Sequence, residues 1–402
     1  MAQTVKSTPY DPAEDAALLL MRLGFITLFL GIPLGGELGR RSLFLVFPIG
    51  VVLSLGSALL VMSRSMRARA FKLRMSFVLA AALSLIFWAV LSLCWSPYWQ
   101  VALGFVIKAL FTGLFAFLTC RALPEHTRSA NLYLVSLGLF AAVVIPLVRP
   151  MIHLSFSAEN LNLDDRAAIT LAVMVWPGMA ALAIRRHIIW ASLLGIGIAL
   201  LLILTHQLAC ILIMALATAV YAISTTAQEK LAHWLGLGFG VLILLGPVLI
   251  LLLGLFASPD STLGAYSAAL RQSLLSDFAR LITGRGLGAS SHSALGLLDP
   301  TAAHWLGFEL WFDLGLLGVC AMISLIYSSF IACKQIHASL SGFVLACMTS
   351  IVLFALIGQG FAQIWWLTLL SVTAIAFQAV KNGHYRRHRP GAKSSTPEPA
   401  AI

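Results

Sequence analysis

Apolar residues run through this chain in blocks of about 20, separated by short polar stretches. A helix rises about 1.5 Å per residue, so a block of that length crosses the roughly 30 Å hydrocarbon core of a bilayer. Twelve such blocks can be placed, at 17–35, 42–62, 76–94, 99–120, 129–148, 167–184, 188–204, 208–224, 235–256, 307–330, 340–359 and 363–380. The predicted fold is an all-α integral membrane protein of about 12 transmembrane helices. The longest interruption, 257–306, is predicted to be a large external loop. Within it, Leu263–Ile282 has the period of an amphipathic helix lying at the membrane surface, with Leu274, Leu275, Phe278, Leu281 and Ile282 as its apolar stripe. The expected layout is a flexible terminus at 1–15, nine helices in 16–256, the loop, three helices in 307–380, and a tail at 381–402.

Composition agrees with the pattern. Of the 402 residues, 60% are hydrophobic and 10% charged, against about 25% charged in a soluble domain. The formal charge of +11 does not indicate a nucleic-acid partner, because the basic residues lie between apolar blocks. They are also unevenly shared. If successive loops alternate across the membrane, 17 of the 26 Lys and Arg residues fall on one side and seven on the other, with Arg22 and Lys108 inside spans. Basic residues accumulate on the cytoplasmic side, so both termini are expected there, with 149–166 and 257–306 outside. The first apolar block lacks a small-residue cleavage site and reads as a retained span. The tail KNGHYRRHRPGAKSSTPEPA is basic, then Pro- and Ser-rich, as in a disordered segment near anionic headgroups. Six cysteines without paired spacing suggest neither a disulfide framework nor a zinc site. There is no internal repeat, P-loop or soluble catalytic domain.

Candidate chemistry concentrates in the external segments. All seven external basic residues are arginine, whose planar fork matches phosphate oxygens. Arg271 falls close to the apolar stripe of its predicted helix; it either snorkels to the interface or clamps an anion. His304 opens the tenth span, with Phe308, Trp311, Gly315 and Gly318 on its face. It is either a structural histidine at a helix end or a base for a sugar hydroxyl. Asp313 faces away from it, and the glycines are expected to let another helix approach. Gly284, Gly286 and Gly288 suggest a sharp turn, not a nucleotide fingerprint, since no strand precedes them. Asp164 and Asp165 suit a helix start, and Arg166 then needs an ion pair with one of them or a substrate anion. Thr205-His206-Gln207 forms a polar turn that either only turns or lines the site. Lys108, in mid-span, must face the interior, water or an acidic partner.

The run Leu270–Gly318 resembles the bacterial O-antigen ligase and O-antigen polymerase family. It carries an arginine on an amphipathic helix (Arg271), a glycine-rich turn (Gly284, Gly286, Gly288), then histidine at a helix start followed by Asp313, Gly315 and Gly318. Two positions depart from the family pattern: Trp305 follows the histidine where asparagine is common, and Thr205-His206 stands where Ser-Arg is common. The resemblance implies a GT-C-like, metal-independent, cofactor-free inverting glycosyltransferase of the inner membrane, with its site facing the periplasm. The donor would be a glycan on undecaprenyl pyrophosphate and the acceptor lipid A–core, or a second lipid-linked glycan in a polymerase. Arg271 and Arg166 would hold the pyrophosphate, His304 would be the general base, and His206 and Asp165 would line the site. Twelve spans also suit a transporter, but two similar halves and spans broken near the midplane are not legible in the sequence.

Overall fold

The computed structural model describes residues 12–38, 42–65, 76–124, 129–152, 165–258, 261–276, 279–290, 305–358 and 363–384. All regular structure among them is helical. The helices are α1 (Pro12–Phe25), α2 (Gly31–Leu38), α3 (Ser42–Ser65), α4 (Phe77–Leu91), α5 (Trp99–Ala122), α6 (Ser129–Ile152), α7 (Asp165–Ala183) and α8 (Ile188–Leu204). They continue as α9 (Leu208–Leu244), α10 (Gly246–Leu253), α11 (Thr262–Ser276), α12 (Arg280–Thr283), α13 (Leu306–Glu309), α14 (Gly315–Ala332), α15 (Ala338–Ile357) and α16 (Ile364–His384). A π-turn joins α1 to α2, and another joins α13 to α14. Nine of the described helical segments are long and apolar enough to cross a membrane, with Leu45–Leu60 and Ile188–Leu204 as shorter apolar helices. Large side chains such as Phe87, Phe111, Ile189 and Phe256 stand exposed. That surface calls for a lipid bilayer as its solvent.

The eighth and ninth predicted spans merge into the 37 residues of α9, which bend at Ala227 (φ −138°, ψ 44°). A straight helix of that length would reach about 55 Å, well beyond one bilayer core. The bend falls among Thr225, Thr226, Gln228, Glu229 and Lys230, where polar side chains mark the expected loop. Gln228 Nε2 donates to the carbonyl of Cys333 (3.2 Å), just past the end of α14, and that carbonyl also accepts from Ile336 N–H (3.1 Å).

At the centre lies α7, buried along nearly its whole length by α6, α8, α15 and α16. Its many alanines and Gly178 let neighbours approach closely, the usual solution where lipid supplies no hydrophobic drive between helices. Pro177 has no N–H, which leaves the Val173 carbonyl without its helical donor. The Cys347 thiol points at that carbonyl (3.7 Å), and Ser136 Oγ donates to Gly178 O (3.0 Å). Trp176 Nε1 donates to Ser350 Oγ (3.1 Å). These three polar groups around α7 thus meet a neighbouring helix, as a low-dielectric interior favours.

The π-turn after α1 packs against α6 so closely that a Cβ at Gly138 would strike the carbonyl of Phe29. Gly138→Ala should lower the unfolding temperature in detergent by several degrees, corresponding to about 1–3 kcal/mol of overpacking. Gly56→Ala, where nothing lies within 4 Å of the added carbon, should leave it unchanged. Equal unfolding temperatures for the two variants would disprove this packing.

Candidate functional site

The tenth predicted span is not one helix. After α13 the chain passes through a π-turn at Leu310–Leu314 and breaks at Gly315 (φ 65°, ψ −167°), where α14 starts. The expectation of unbroken spans therefore fails here. A break exposes carbonyls that a helix would have satisfied, and buried carbonyls need donors. Three at this break receive them from other parts of the chain. Arg285 N–H donates to Phe312 O (2.9 Å), Gly286 N–H to Asp313 O (2.9 Å), and Trp88 Nε1 to Leu314 O (2.8 Å).

The glycine turn is the element that docks there. Gly284, Gly286 and Gly288 all have positive φ, as the sequence led one to expect of a sharp turn. A side chain at Gly284 would collide with the Asp313 carbonyl, and one at Gly315 with the backbone of Gly284 and Ile282. Gly315 therefore makes room for the turn, not for another helix as its spacing suggested, and Gly318 faces its own Leu314. Asp313, turned away from the face that His304 was expected to share, is the latch. Gly288 N–H donates to its Oδ2 (3.0 Å), Ser290 N–H to its Oδ1 (2.7 Å) and Ser290 Oγ to its Oδ2 (3.0 Å). The far side of the turn is held by the end of α4: Ser96 Oγ donates to Leu287 O (2.8 Å) and Leu287 N–H to Ser92 Oγ (3.3 Å).

An aromatic ladder joins this turn to α11. Trp305 and Tyr266 have ring centroids 5.5 Å apart, Tyr266 and Phe308 4.4 Å, and Phe308 and Phe312 5.2 Å. The Arg285 guanidinium lies over the Phe312 ring at 5.5 Å. Such ring and cation–π contacts add orientation to the area they bury. The ladder thus fixes three pieces together: the helix bearing Arg271, the residues that follow His304, and the turn bearing Arg285. Glu309 is buried beside it. Burial, and after it that carboxylate, push the Tyr266 phenol up to about 12.

Other predicted site residues are placed as follows. His304 and Asp164 lie outside the described residues. The helix expected over Leu263–Ile282 is two helices, α11 and α12. Tyr266, Ala269 and Leu270 form the buried face of α11, and Arg271 is exposed with no ion-pair partner among the described residues. Of the predicted apolar stripe, Ile282 is exposed, Leu281 half-buried, and Leu274, Leu275 and Phe278 are among the side chains not described. Asp165 accepts from Gln207 Nε2 (3.1 Å). Arg166 lies over the Trp365 ring at 5.4 Å instead of pairing with Asp165. His206 is exposed, with a positive φ of 56° that makes the turn between α8 and α9. These residues bring together the starts of α7, α9 and α16. Alternation of helix direction puts that group at the same end of the bundle as the glycine turn.

Sequence reasoning missed Tyr266, Glu309 and the latch of Asp313 on Ser290. The available signal was two acids four residues apart in an otherwise apolar stretch, since buried carboxylates need donors. Neither a family model nor a curated protein matches the chain.

Asp313→Asn keeps the shape but replaces one acceptor oxygen by a donor facing N–H groups. It should cost about 1–3 kcal/mol and speed hydrogen exchange across 284–290, with Ser290→Ala giving a smaller effect. Unaltered exchange in Asp313→Asn would refute the latch. A free tyrosine titrates near pH 10, and the folded chain favours the neutral phenol of Tyr266. That contribution to stability is present below about pH 10 and is lost as pH rises through about 12. Absorbance titration should show one late phenol that Tyr266→Phe removes.

Proposed function

We propose that this chain is an O-antigen ligase of the bacterial inner membrane, moving a glycan from undecaprenyl pyrophosphate to a lipid A–core hydroxyl. The observation that carries this reading is that the resembling motif is one physical unit. Its arginine helix, glycine turn and acidic-glycine segment are separated in sequence but joined by the Asp313 latch and the Tyr266 ladder. A motif of unrelated parts would have no need of such a joint.

The unit suits a lipid-linked donor. An enzyme working outside the cytoplasm has no nucleotide sugar, so its activated sugar must arrive on a lipid, with a pyrophosphate as leaving group. Arg271 is exposed with no ion-pair partner among the described residues, as a phosphate-binding arginine is before its anion arrives. Fixed donors aimed at developing charge supply much of the rate in such reactions. In this mechanism Arg271 holds the pyrophosphate, Arg166 assists from the neighbouring helix ends, and His206 and Asp165 line the approach. His304 takes the proton from the acceptor hydroxyl, whose oxygen attacks the anomeric carbon as the pyrophosphate oxygen leaves, with inversion. Arg285, levelled on Phe312, adds a further positive group to the same unit. No metal or cofactor enters this scheme.

With purified protein, lipid-linked glycan and lipid A–core, His304→Ala should abolish transfer while the protein still inserts. Full activity of that variant would rule out the base role. Arg271→Lys should raise the apparent KM for the donor at least tenfold, because the fork that meets two phosphate oxygens is lost; an unchanged KM would show that Arg271 only snorkels. In a deletion strain, loss of all long glycan from lipopolysaccharide with lipid-linked polymer accumulating is the expected result. Core bearing a single repeat unit would mean a polymerase, and unchanged glycan with loss of solute uptake a transporter.

A further inference from the structure

Lys108 is the cation that the site does not use. It sits on α5 at the flank of the face that buries Ala102, Val106, Ala116 and Thr119, and it is exposed. No acidic side chain pairs with it among the described residues, and its backbone carbonyl accepts from Thr112 Oγ1. It lies nine residues after Trp99, about 14 Å along the axis, which is close to the middle of a roughly 30 Å core. Side chains lean toward the helix N-terminus, yet an extended lysine reaches only about 6 Å, so its ammonium stops short of the interface. Arg22, another exposed cation within a span, is seven residues from Asp15, about 10 Å, and its longer side chain leans toward that end.

An unpaired cation in the hydrocarbon is costly and is kept where it meets a partner. The surface around Lys108 is shaped for a helix. Gly104, one turn before it on the same face, has nothing within 4 Å of where a Cβ would stand, and Gln100 continues the stripe outward. Small residues of this kind let a second helix come close. A second copy of this chain does not supply the complementary charge. Among the described residues, the acids within the spans are Asp15 and Asp165 at helix ends, Glu229 beside the bend of α9, and Glu309 and Asp313 in the interior. Two copies meeting on α5 would set lysine against lysine.

We infer that the exposed face of α5 is a docking surface for a transmembrane helix of another membrane protein that carries a carboxylate near its midpoint. The ammonium and carboxylate would neutralise one another inside the bilayer, and Gly104 would admit the backbone beside them.

The test uses the full-length protein, donor-labelled, in phosphatidylcholine vesicles with an acceptor-labelled polyleucine helix bearing one central aspartate. Energy transfer should report association at least tenfold tighter than for the all-leucine helix. The preference should vanish in Lys108→Leu, a lipid-facing change that should leave the unfolding temperature unaltered. Lys108→Asp should prefer a helix with a central lysine. Equal binding of both peptides, or an aspartate preference that survives in Lys108→Leu, would overturn the proposal. So would self-association of the protein that Lys108→Leu abolishes, or loss of the aspartate preference when anionic lipid is added, which would assign the lysine to a second copy or to lipid phosphate.

Discussion

A buried helix that stops short must find donors for the carbonyls it abandons, and in a bilayer water cannot supply them. The break at Leu314–Gly315 is this problem, and the glycine turn is its solution. Backbone N–H groups of Arg285 and Gly286 and the indole of Trp88 replace the missing helical donors. The turn can come so near only because Gly284 and Gly315 have no side chains. Asp313 then fastens the turn through both carboxylate oxygens. Remove any of these and the others lose their reason.

That arrangement has a functional consequence. Loops that carry chemistry need a rigid support, and here the support is made from the loop's own bonds to the broken helix. The ladder from Trp305 through Tyr266 to Phe312 extends the support to α11. Under the proposed function, arginines carried on such a support would lose little freedom when an anion arrives, which is how preorganised charge does its work. Arg166 is set differently, lying on Trp365 beside the Asp165–Gln207 pair at the gathered ends of three helices.

Charges elsewhere in the bundle follow the same rule that low dielectric imposes. Glu309 and Asp313 are buried, and Asp313 is surrounded by donors. Lys108 is the departure, exposed to the region where lipid lies.

The all-helical membrane class, the approximate span limits and the turn at Gly284–Gly288 could be read in advance. Each follows from local properties: apolar length against bilayer thickness, and the conformational freedom of glycine. The break after Leu314 and the division of 263–282 into α11 and α12 could not. Apolar periodicity continues across both, because it records which residues avoid water and not which carbonyl a distant N–H will meet. Likewise Asp313 was assigned a direction from helical spacing, and the π-turn sent it to Ser290 instead. Burial was a matter of composition and local order; the pairing of donors with acceptors was settled by tertiary structure, since the partners lie more than twenty residues apart along the chain and more than two hundred in the case of Trp88.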